Sequence, residues 1–322
     1  MSTSTALIRR EWLEHKTGFG WVPIAVLGTL VMLTVFVLML ASTTSATINV
    51  SSNQSSNGVN ISLGDRAQDT DVVSFVLQEG LLTLFDYTDW SDEELTDRID
   101  KARTSVALPF QLVYFLVAVF ALLGSLHEDR RDRTVLFWKS MPVSDSETVL
   151  AKLVHIAWLA PVVTIAAILA YQIFILLIVS IAGDGGFLRL WSHSGLIMEF
   201  IELGVGYFIQ GLWALPIYGW LLLVSAVANR VPFVWAVLLP IVPAVLEPVL
   251  FSSSIVSDGV ADHLRFAALP SAANMSRAGF EPAVHIGEQL RLLASTDLWI
   301  GVVIGAGFVA AAIYMRHRNN EI

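Results

Sequence analysis

The sequence predicts an all-α polytopic membrane protein, and three observations support this prediction. Hydrophobic residues make up 55% of the 322-residue chain and charged residues only 15%, against about 25% charged residues in a typical soluble domain. The apolar residues are gathered into blocks of the length that a helix needs to cross a bilayer. The chain contains no cysteine, which excludes disulfides, thiolate metal sites and cysteine nucleophiles.

Six apolar blocks meet or approach the length of about 20 residues that spans a hydrocarbon core of about 30 Å. The predicted spans are Trp21–Ala41, Val106–Leu126, Leu153–Ala182, Leu203–Val227, Val231–Leu250 and Leu298–Met315. The first block is longer than the apolar region of a signal peptide, and Glu11 and Glu14 precede it. We therefore expect an uncleaved first helix and one transmembrane domain over residues 1–322.

The distribution of Lys and Arg predicts the orientation of the spans. Eleven of these residues fall in the short segments on one side, and eight fall in the much longer segments on the other. Because cytoplasmic loops are enriched in Lys and Arg, we expect both termini and residues 127–152 to be cytoplasmic. Residues 43–104 and 252–297 are then external.

The N-terminal segment, residues 1–20, is predicted to form an amphipathic helix along the cytoplasmic interface. Ile8, Trp12 and Phe19 fall near one helical face, with charged residues between them, and tryptophan favours the headgroup level. A short cytoplasmic helix without membrane contact is the alternative.

The external segment between the first two spans is acidic and ends in a predicted helix. It carries eleven Asp or Glu residues against four Lys or Arg residues, which indicates either a solvated acidic cap or a surface that attracts cations or a partner. Ser91 and Glu94 fit a capping box. The helix that follows has one apolar face that leads into the second span, formed by Leu95, Ile99, Ala102 and Val106.

Residues 127–152 carry the most informative pattern of the sequence. A dense mixed-charge stretch is followed by an amphipathic stretch and by Pro142, and Ser144 with Glu147 fits a capping box for the helix that enters the third span. The large apolar side chains are candidate anchors for a soluble partner, and the charges would set the register of docking. An ordinary positive-inside loop is the alternative.

Several features together resemble the type-2 ABC transporter permeases. The chain shares with that family an N-terminal amphipathic helix, a long external segment after the first span, and a cytoplasmic block that runs from Glu128 to Lys152. Residues Leu215–Trp220, Ser225 and the pair Pro232 and Phe233 resemble the fourth and fifth spans of one bacterial branch. The resemblance is specific in the cytoplasmic block and weak in the external segments.

The resemblance implies a subunit of a bacterial ABC exporter in the cytoplasmic (inner) membrane. In that family a coupling helix sits in a groove of the ATP-binding subunit, and two permeases form the pathway. The expected partners are therefore an ATP-binding subunit that carries ATP and Mg, a second permease copy, and membrane lipid. The ATPase-coupling residues that it implies are Glu128, Arg131, Arg133, Thr134, Phe137, Trp138, Met141 and Pro142.

The sequence carries no motif for catalysis of its own. It has no G-x-x-x-x-G-K-[ST] phosphate loop, so we expect no ATPase activity from this chain alone. His127 and Glu128 do not form a zinc-protease motif, because Arg131 stands where the second histidine would be. We expect no metal site and no cofactor on this chain, and the net charge of −9 argues against nucleic acid as a partner.

Polar residues and prolines inside or beside the spans are candidates for a pathway or gate. Glu199 and Glu202 share a face near the outer start of the fourth span, where an interfacial or structural role is expected. Intramembrane prolines mark either a hinge or a packed kink. The candidate pathway or gate residues are Pro216, Pro240, Pro243 and Glu247.

Two other functions remain open on the residues alone. An ion-coupled secondary transporter would use intramembrane carboxylates to bind its coupling ion. A membrane sensor or assembly factor would span the bilayer without transporting anything.

Overall fold

The computed structural model describes residues 3–43, 87, 90–131, 144–182, 186–228, 230–251, 255–264 and 286–318. In these ranges the chain is helical apart from short connections. The helices are α1 (Thr3–His15), α2 (Val22–Thr43), α3 (Asp92–Arg131), α4 (Asp145–Val154), α5 (Ala160–Ala182), α6 (Phe187–His193), α7 (Leu196–Trp213), α8 (Leu215–Val227), α9 (Pro232–Phe251), α10 (Ile255–Leu264), α11 (Ile286–Leu293) and α12 (Thr296–Arg318). Two π-helical turns, Lys16–Trp21 and His155–Leu159, join α1 to α2 and α4 to α5.

Within the described residues, six helical stretches are long and apolar enough to cross a membrane, which confirms the predicted all-helical class with six membrane-length helices. They are Arg9–Met39, Asp92–Arg131, Asp145–Ile181, Phe187–Trp213, Pro232–Leu250 and Thr296–Arg318. The protein is therefore an all-helical, multi-pass membrane protein.

Helix α3 is longer than the predicted second span at both ends. It begins after Ser91, whose hydroxyl accepts a hydrogen bond from the backbone N–H of Glu94 at 3.2 Å, and it continues for 40 residues, or about 60 Å. Its first turns bury the predicted face of Leu95, Ile99, Ala102 and Val106. The last part of residues 43–104 is thus continuous with the second span.

Helix α4 starts where the sequence predicts it. The Ser144 hydroxyl accepts from the Glu147 N–H while the Glu147 carboxylate accepts from the Ser144 N–H, so both halves of the capping box are present. The helix then passes through the π-turn at His155–Leu159 into α5 without a break. Residues 127–131 and 145–152 are helical, so the described part of the predicted loop consists of helix ends.

The fourth predicted span, Leu203–Val227, was wrong as a single helix. The chain is helical from Leu196, turns at Ala214 and restarts as α8. Pro216 lies at the start of α8, a position that tolerates a residue without an N–H, whereas the interior of one long helix would lose a hydrogen bond there.

Helices α7 and α8 together cross the bundle once. Near the start of α7, Glu199 lies 3.1 Å from the Arg103 guanidinium. After α8, the Ala228 carbonyl accepts from Arg130 at 2.9 Å. The two helices therefore cover the same length of the bundle as α3 does between Arg103 and Arg130.

Helix α8 packs between α3 and α12. The Ser225 hydroxyl donates to the Leu123 carbonyl at 2.7 Å and accepts from the backbone N–H groups of Leu126 and His127, each at 3.0 Å. On the other side, a Cβ atom at Gly305 would lie 2.6 Å from the carbonyl carbon of Leu215. Because Gly305 has no side chain, the backbones of α8 and α12 come into direct contact there.

The predicted N-terminal interfacial helix, residues 1–20, is helical over the described part and packs on the bundle. Leu7 and Glu11 are buried on its inner face, and Phe19 in the following π-turn is buried as well, whereas Trp12 is 37% exposed. The position of α1 relative to a membrane interface remains a prediction.

Helix α9 is continuous through its prolines. Pro240 and Pro243 lie inside the helix, so they do not divide it into two segments as Pro216 divides α7 from α8. Most of its side chains are exposed, among them Phe233 and Trp235. In residues 252–297, which are predicted to be external, the described helices are α10, α11 and the start of α12.

Candidate functional site

Four buried charged residues meet at one end of the bundle, where α3 ends and α4 begins. This charge cluster consists of Glu11 of α1, Asp129 of α3, Lys152 of α4 and Arg316 of α12, and none of these residues is more than 5% exposed. Two carboxylates face two cations, so the formal charges of the cluster balance. The cluster joins four helices that are far apart in the sequence.

Lys152 is the centre of the charge cluster and is fully buried. Its ammonium nitrogen lies 3.4 Å from a carboxylate oxygen of Glu11, 3.6 Å from Asp129 and 3.9 Å from Glu14. An ammonium group has three N–H donors. Its charge is compensated by three carboxylates, of which Glu11 lies within hydrogen-bond distance.

Arg316 connects the last helix to both helix ends that flank residues 132–143. Its Nη1 atom lies 3.2 Å from Asp129 at the end of α3, and its Nε donates to Asp145 at the start of α4 at 3.0 Å. Asp145 follows the N-cap of α4, where the helix dipole favours a negative charge. One guanidinium therefore holds the two helix ends that flank residues 132–143.

Helix α1 adds a third cation to Asp129, beside Lys152 and Arg316. The Arg10 guanidinium lies 3.4 Å from the Asp129 carboxylate and 3.3 Å from Glu14. Removing one partner of a buried ion pair costs about 3–5 kcal/mol, because the remaining charge stays buried without compensation. The cluster therefore fixes the relative positions of α1, α3, α4 and α12.

A layer of tyrosines lies deeper in the bundle. The Tyr114 hydroxyl donates to the carbonyl of Ile156 at 2.7 Å, which belongs to the π-turn between α4 and α5, and it shares a hydrogen bond with Tyr218 of α8. The Tyr207 ring meets the Tyr114 ring edge-on at 5.6 Å. The π-turn is thus held by α3 at a point where helical hydrogen bonding is irregular.

A second ion pair lies at the opposite end of the bundle. Glu199 of α7 is buried, with the Arg103 guanidinium of α3 at 3.1 Å and the Gln172 amide of α5 donating to it at 2.5 Å. Glu202 accepts at its backbone carbonyl from Gln289 at 3.0 Å. The expected structural role of Glu199 agrees with these contacts.

The predicted coupling residues divide into two groups. Glu128 and Arg131 lie on the exposed side of α3, outside the charge cluster. The others lie outside the residues that the structure describes: Arg133, Thr134, Phe137, Trp138, Met141 and Pro142. Their roles stay predictions.

Three of the four candidate pathway residues lie on α9, and the fourth, Pro216, lies at the start of α8. Pro216 is buried, and a Cβ atom at Gly301 of α12 would lie 3.3 Å from its ring. Pro243 is exposed on α9, and Pro240 and Glu247 are partly exposed there. Within the described residues, the packed-kink interpretation fits Pro216.

Sequence reasoning missed the four residues of the charge cluster. One signal was available for Asp129, since it follows Leu122 and Leu126 at helical spacing and so continues their buried face. The same spacing signal exists for Lys152, which follows Thr148 and Val149, and for Arg316, which follows Val309 and Ala312. The sequence does not show which of these charges pair, because the partners lie on distant parts of the chain.

Among the residues that the structure describes, no group of three or more His, Asp or Glu residues is arranged to hold a metal ion. Comparison of the chain with models of protein families, with curated proteins and with solved structures returns no match.

Proposed function

We propose that this chain is the membrane-spanning subunit of an ABC exporter, driven by an ATP-binding subunit on another chain. The resemblance of residues 127–152 to the coupling region of type-2 permeases supports the proposal. The observation that carries it is the charge cluster, which lies at the base of that block.

The charge cluster gives the block a mechanical connection to the bundle. Asp129 and Lys152 flank residues 132–143 along the chain and lie 3.6 Å apart, measured from carboxylate oxygen to ammonium nitrogen. A displacement of the block by a partner would move the ends of α3 and α4 together, and α4 continues into α5. Nucleotide binding on one chain could then shift a conformational equilibrium in another.

The proposal includes the partners that the family uses. The ATP-binding subunit supplies ATP and Mg, a second permease copy completes the pathway, and the complex lies in a bacterial inner membrane with both termini in the cytoplasm. The exposed apolar side chains of α2 and α9 are available to lipid or to the second copy, among them Met32, Phe36, Trp235 and Leu246.

An ion-coupled transporter is less well supported by the described residues. Such a protein needs a carboxylate within the membrane that can take up and release its ion. Glu11 and Glu199 are the buried glutamates of the described chain. Each has a cationic side chain within 3.4 Å, and each lies near an end of the bundle.

The test is co-purification of the full chain with the ATPase that it captures from its own cells, followed by measurement of ATP hydrolysis. Trp138→Ala removes the largest predicted anchor, and we expect weaker ATPase binding by about 2 kcal/mol or more. The control is Trp299→Ala, since Trp299 is 55% exposed near the opposite end of α12. Normal ATPase capture by Trp138→Ala and Arg133→Ala would reject the coupling assignment.

A further inference from the structure

A cavity whose described ionisable lining residues are all basic lies beside the end of α3. It has a volume of about 570 Å³ and lies between the last turns of α3 and the residues that follow α8. The described residues that line it are His127, Arg130, Arg131, Ala228, Arg230 and Val231. We call it the basic pocket.

Two of its bases are fixed in place by α8. The Arg130 guanidinium donates to the carbonyls of Ser225 at 2.8 Å and Ala228 at 2.9 Å, and the His127 Nδ1 lies 3.1 Å from the Ala228 carbonyl. These bonds satisfy carbonyls at the C-terminal end of α8, which would otherwise repel an anion. The Nε of Arg130 is buried without a hydrogen-bond partner in the described chain.

The other two cations are exposed and available. Arg131 and Arg230 form no ion pair among the described residues, and both are exposed to solvent. Asp129, the nearest buried carboxylate in sequence, is directed away into the charge cluster. Among the described residues, the pocket therefore carries a net positive charge.

The pocket lies where the apolar stretches of three helices end or begin. The apolar stretch of α3 ends at Leu126, that of α8 ends at Val227, and α9 begins at Pro232. Each of these three residues lies within one helical turn, along the chain, of a residue that lines the pocket. A ligand in the pocket would thus sit where the hydrocarbon core ends.

An exposed apolar face of α3 extends from the pocket toward the middle of the helix, and we call this face the groove. Leu116 and Phe120 are 54% and 60% exposed, and their spacing from His127 and Arg131 places all four on one helical face. The ring of Phe233 stacks on that of Phe120 at 5.9 Å on one flank. On the other flank, a hollow of about 300 Å³ separates this face from Phe19 and its neighbours in the π-turn.

The groove has the length of one bilayer leaflet. From Leu116 to His127 the helix rises about 16 Å, and half of a hydrocarbon core is about 15 Å thick. We propose that the groove binds one anionic phospholipid, with its phosphate among the arginines of the basic pocket and an acyl chain along Leu116 and Phe120. Arginine recognises phosphate through paired N–H donors, and basic pockets between membrane helices recognise anionic headgroups.

The assignment does not depend on the proposed transport function. It is tested on the purified full chain in a nonionic detergent, titrated with phosphatidylglycerol or phosphatidylcholine of identical acyl chains, with bound lipid counted by native mass spectrometry. We expect preferential binding of phosphatidylglycerol. Equal binding of the two lipids would overturn the proposal.

Matched variants test whether lipid binding depends on the basic pocket or only on the overall positive charge of the protein. Arg131→Gln with Arg230→Gln should weaken phosphatidylglycerol binding about thirtyfold, since each surface arginine contributes about 1 kcal/mol. Arg9→Gln with Arg318→Gln removes the same charge from exposed positions outside the pocket and should leave binding at the level of the parent. Equal losses in both variants would overturn the site.

Competition identifies the source of the phosphate. The double variant Phe120→Ala with Phe233→Ala should bind phosphatidylglycerol more weakly than the unchanged protein. On the unchanged protein, inorganic phosphate in large excess should displace little of the bound phosphatidylglycerol. Full displacement by inorganic phosphate would overturn the acyl-chain half of the proposal. Displacement by a polyglutamate peptide, with no preference between the lipids, would instead make the pocket a docking surface for an acidic protein segment.

Discussion

Asp129 has only 3% of its surface exposed, although it lies beyond the last apolar residue of its span. Its carboxylate has three cations within 3.6 Å, from Arg10, Lys152 and Arg316. Its neighbour Glu128 is exposed on the same turn of helix. Two adjacent carboxylates thus have opposite environments, which makes them a matched pair for mutation.

Asp129→Asn should destabilise the protein by about 3 kcal/mol or more, because three buried or half-buried cations would share one carboxylate fewer. Glu128→Gln should change stability by less than about 0.5 kcal/mol, as expected for an exposed position. Thermal unfolding of both variants in the same detergent gives the comparison. Equal melting temperatures would mean that the ion pairs at Asp129 contribute nothing net to stability.

The sequence alone predicts that this stretch is charged but does not single out the buried member of the pair. The prediction of Glu128 as a coupling residue rests on its place in residues 127–152 and stays a prediction, whereas the helical phase of Leu122 and Leu126 places Asp129 on the buried face. The pairing of Glu11 with Lys152 could not have been found in this way. Glu11 is separated from Lys152 by 141 residues, and only the packing of α1 on α4 brings the two together.

At the level of the helices, proline has different effects in α8 and α9. Pro216 begins a helix, whereas Pro240 and Pro243 lie inside one. The sequence predicted six membrane-length helices correctly, but it could not distinguish these prolines. A membrane helix tolerates an internal proline when neighbouring groups satisfy the freed carbonyl, and that depends on tertiary contacts.

The contact between α8 and α12 depends on Gly305. In a Gly305→Ala variant, the new methyl group would lie 2.6 Å from the Leu215 carbonyl carbon and 2.8 Å from the Pro216 nitrogen. Backbone atoms cannot rotate away, so the helices must separate, and we expect a loss of about 1–3 kcal/mol.

Gly307→Ala is the control for this prediction, because a Cβ atom there would meet nothing within 4 Å. It should be neutral or stabilise the helix by up to about 1 kcal/mol, the difference in helix propensity between glycine and alanine. Thermal unfolding measures both variants. If Gly305→Ala is as stable as Gly307→Ala, the two helices do not pack at backbone distance.

At the scale of the whole molecule, α3 takes part in the ion pairs at both ends of the bundle. Asp129 joins it to α1, α4 and α12, and Arg103 joins it to α7. Between these ends it packs on α5 and α8 along its length. This arrangement fixes which helix ends lie on the same side of the membrane. Which of the two sides is the cytoplasmic one is predicted only by the distribution of Lys and Arg.

Cysteine labelling tests the predicted orientation, and the absence of native cysteines makes it clean. Ser55→Cys should react with a membrane-impermeant maleimide in intact cells, because residues 43–104 are predicted to be external. Arg318→Cys should react only after the membrane is opened. The reverse pattern would invert the topology and with it the cytoplasmic assignment of residues 127–152.

The role of the charge cluster in coupling can be separated from its role in stability. Lys152→Met leaves Glu11 and Asp129 with one cation fewer, and we expect it to lower both the melting temperature and the stimulation of ATP hydrolysis by the permease. Glu11→Gln combined with Lys152→Met removes one charge of each sign. The double variant should recover part of the stability, since breaking a buried ion pair on one side only is the costly change.

If the cluster transmits movement from residues 132–143 to the bundle, the double variant should still bind the ATPase but fail to stimulate it. Binding depends on the predicted anchors, such as Trp138, whereas transmission depends on the link between Asp129 and Lys152, which the double variant lacks. The measurements are ATPase capture, melting temperature and ATP hydrolysis on the same reconstituted samples. Full recovery of stimulation together with stability would show that the cluster only stabilises the fold, and the coupling pathway would then have to run through another contact.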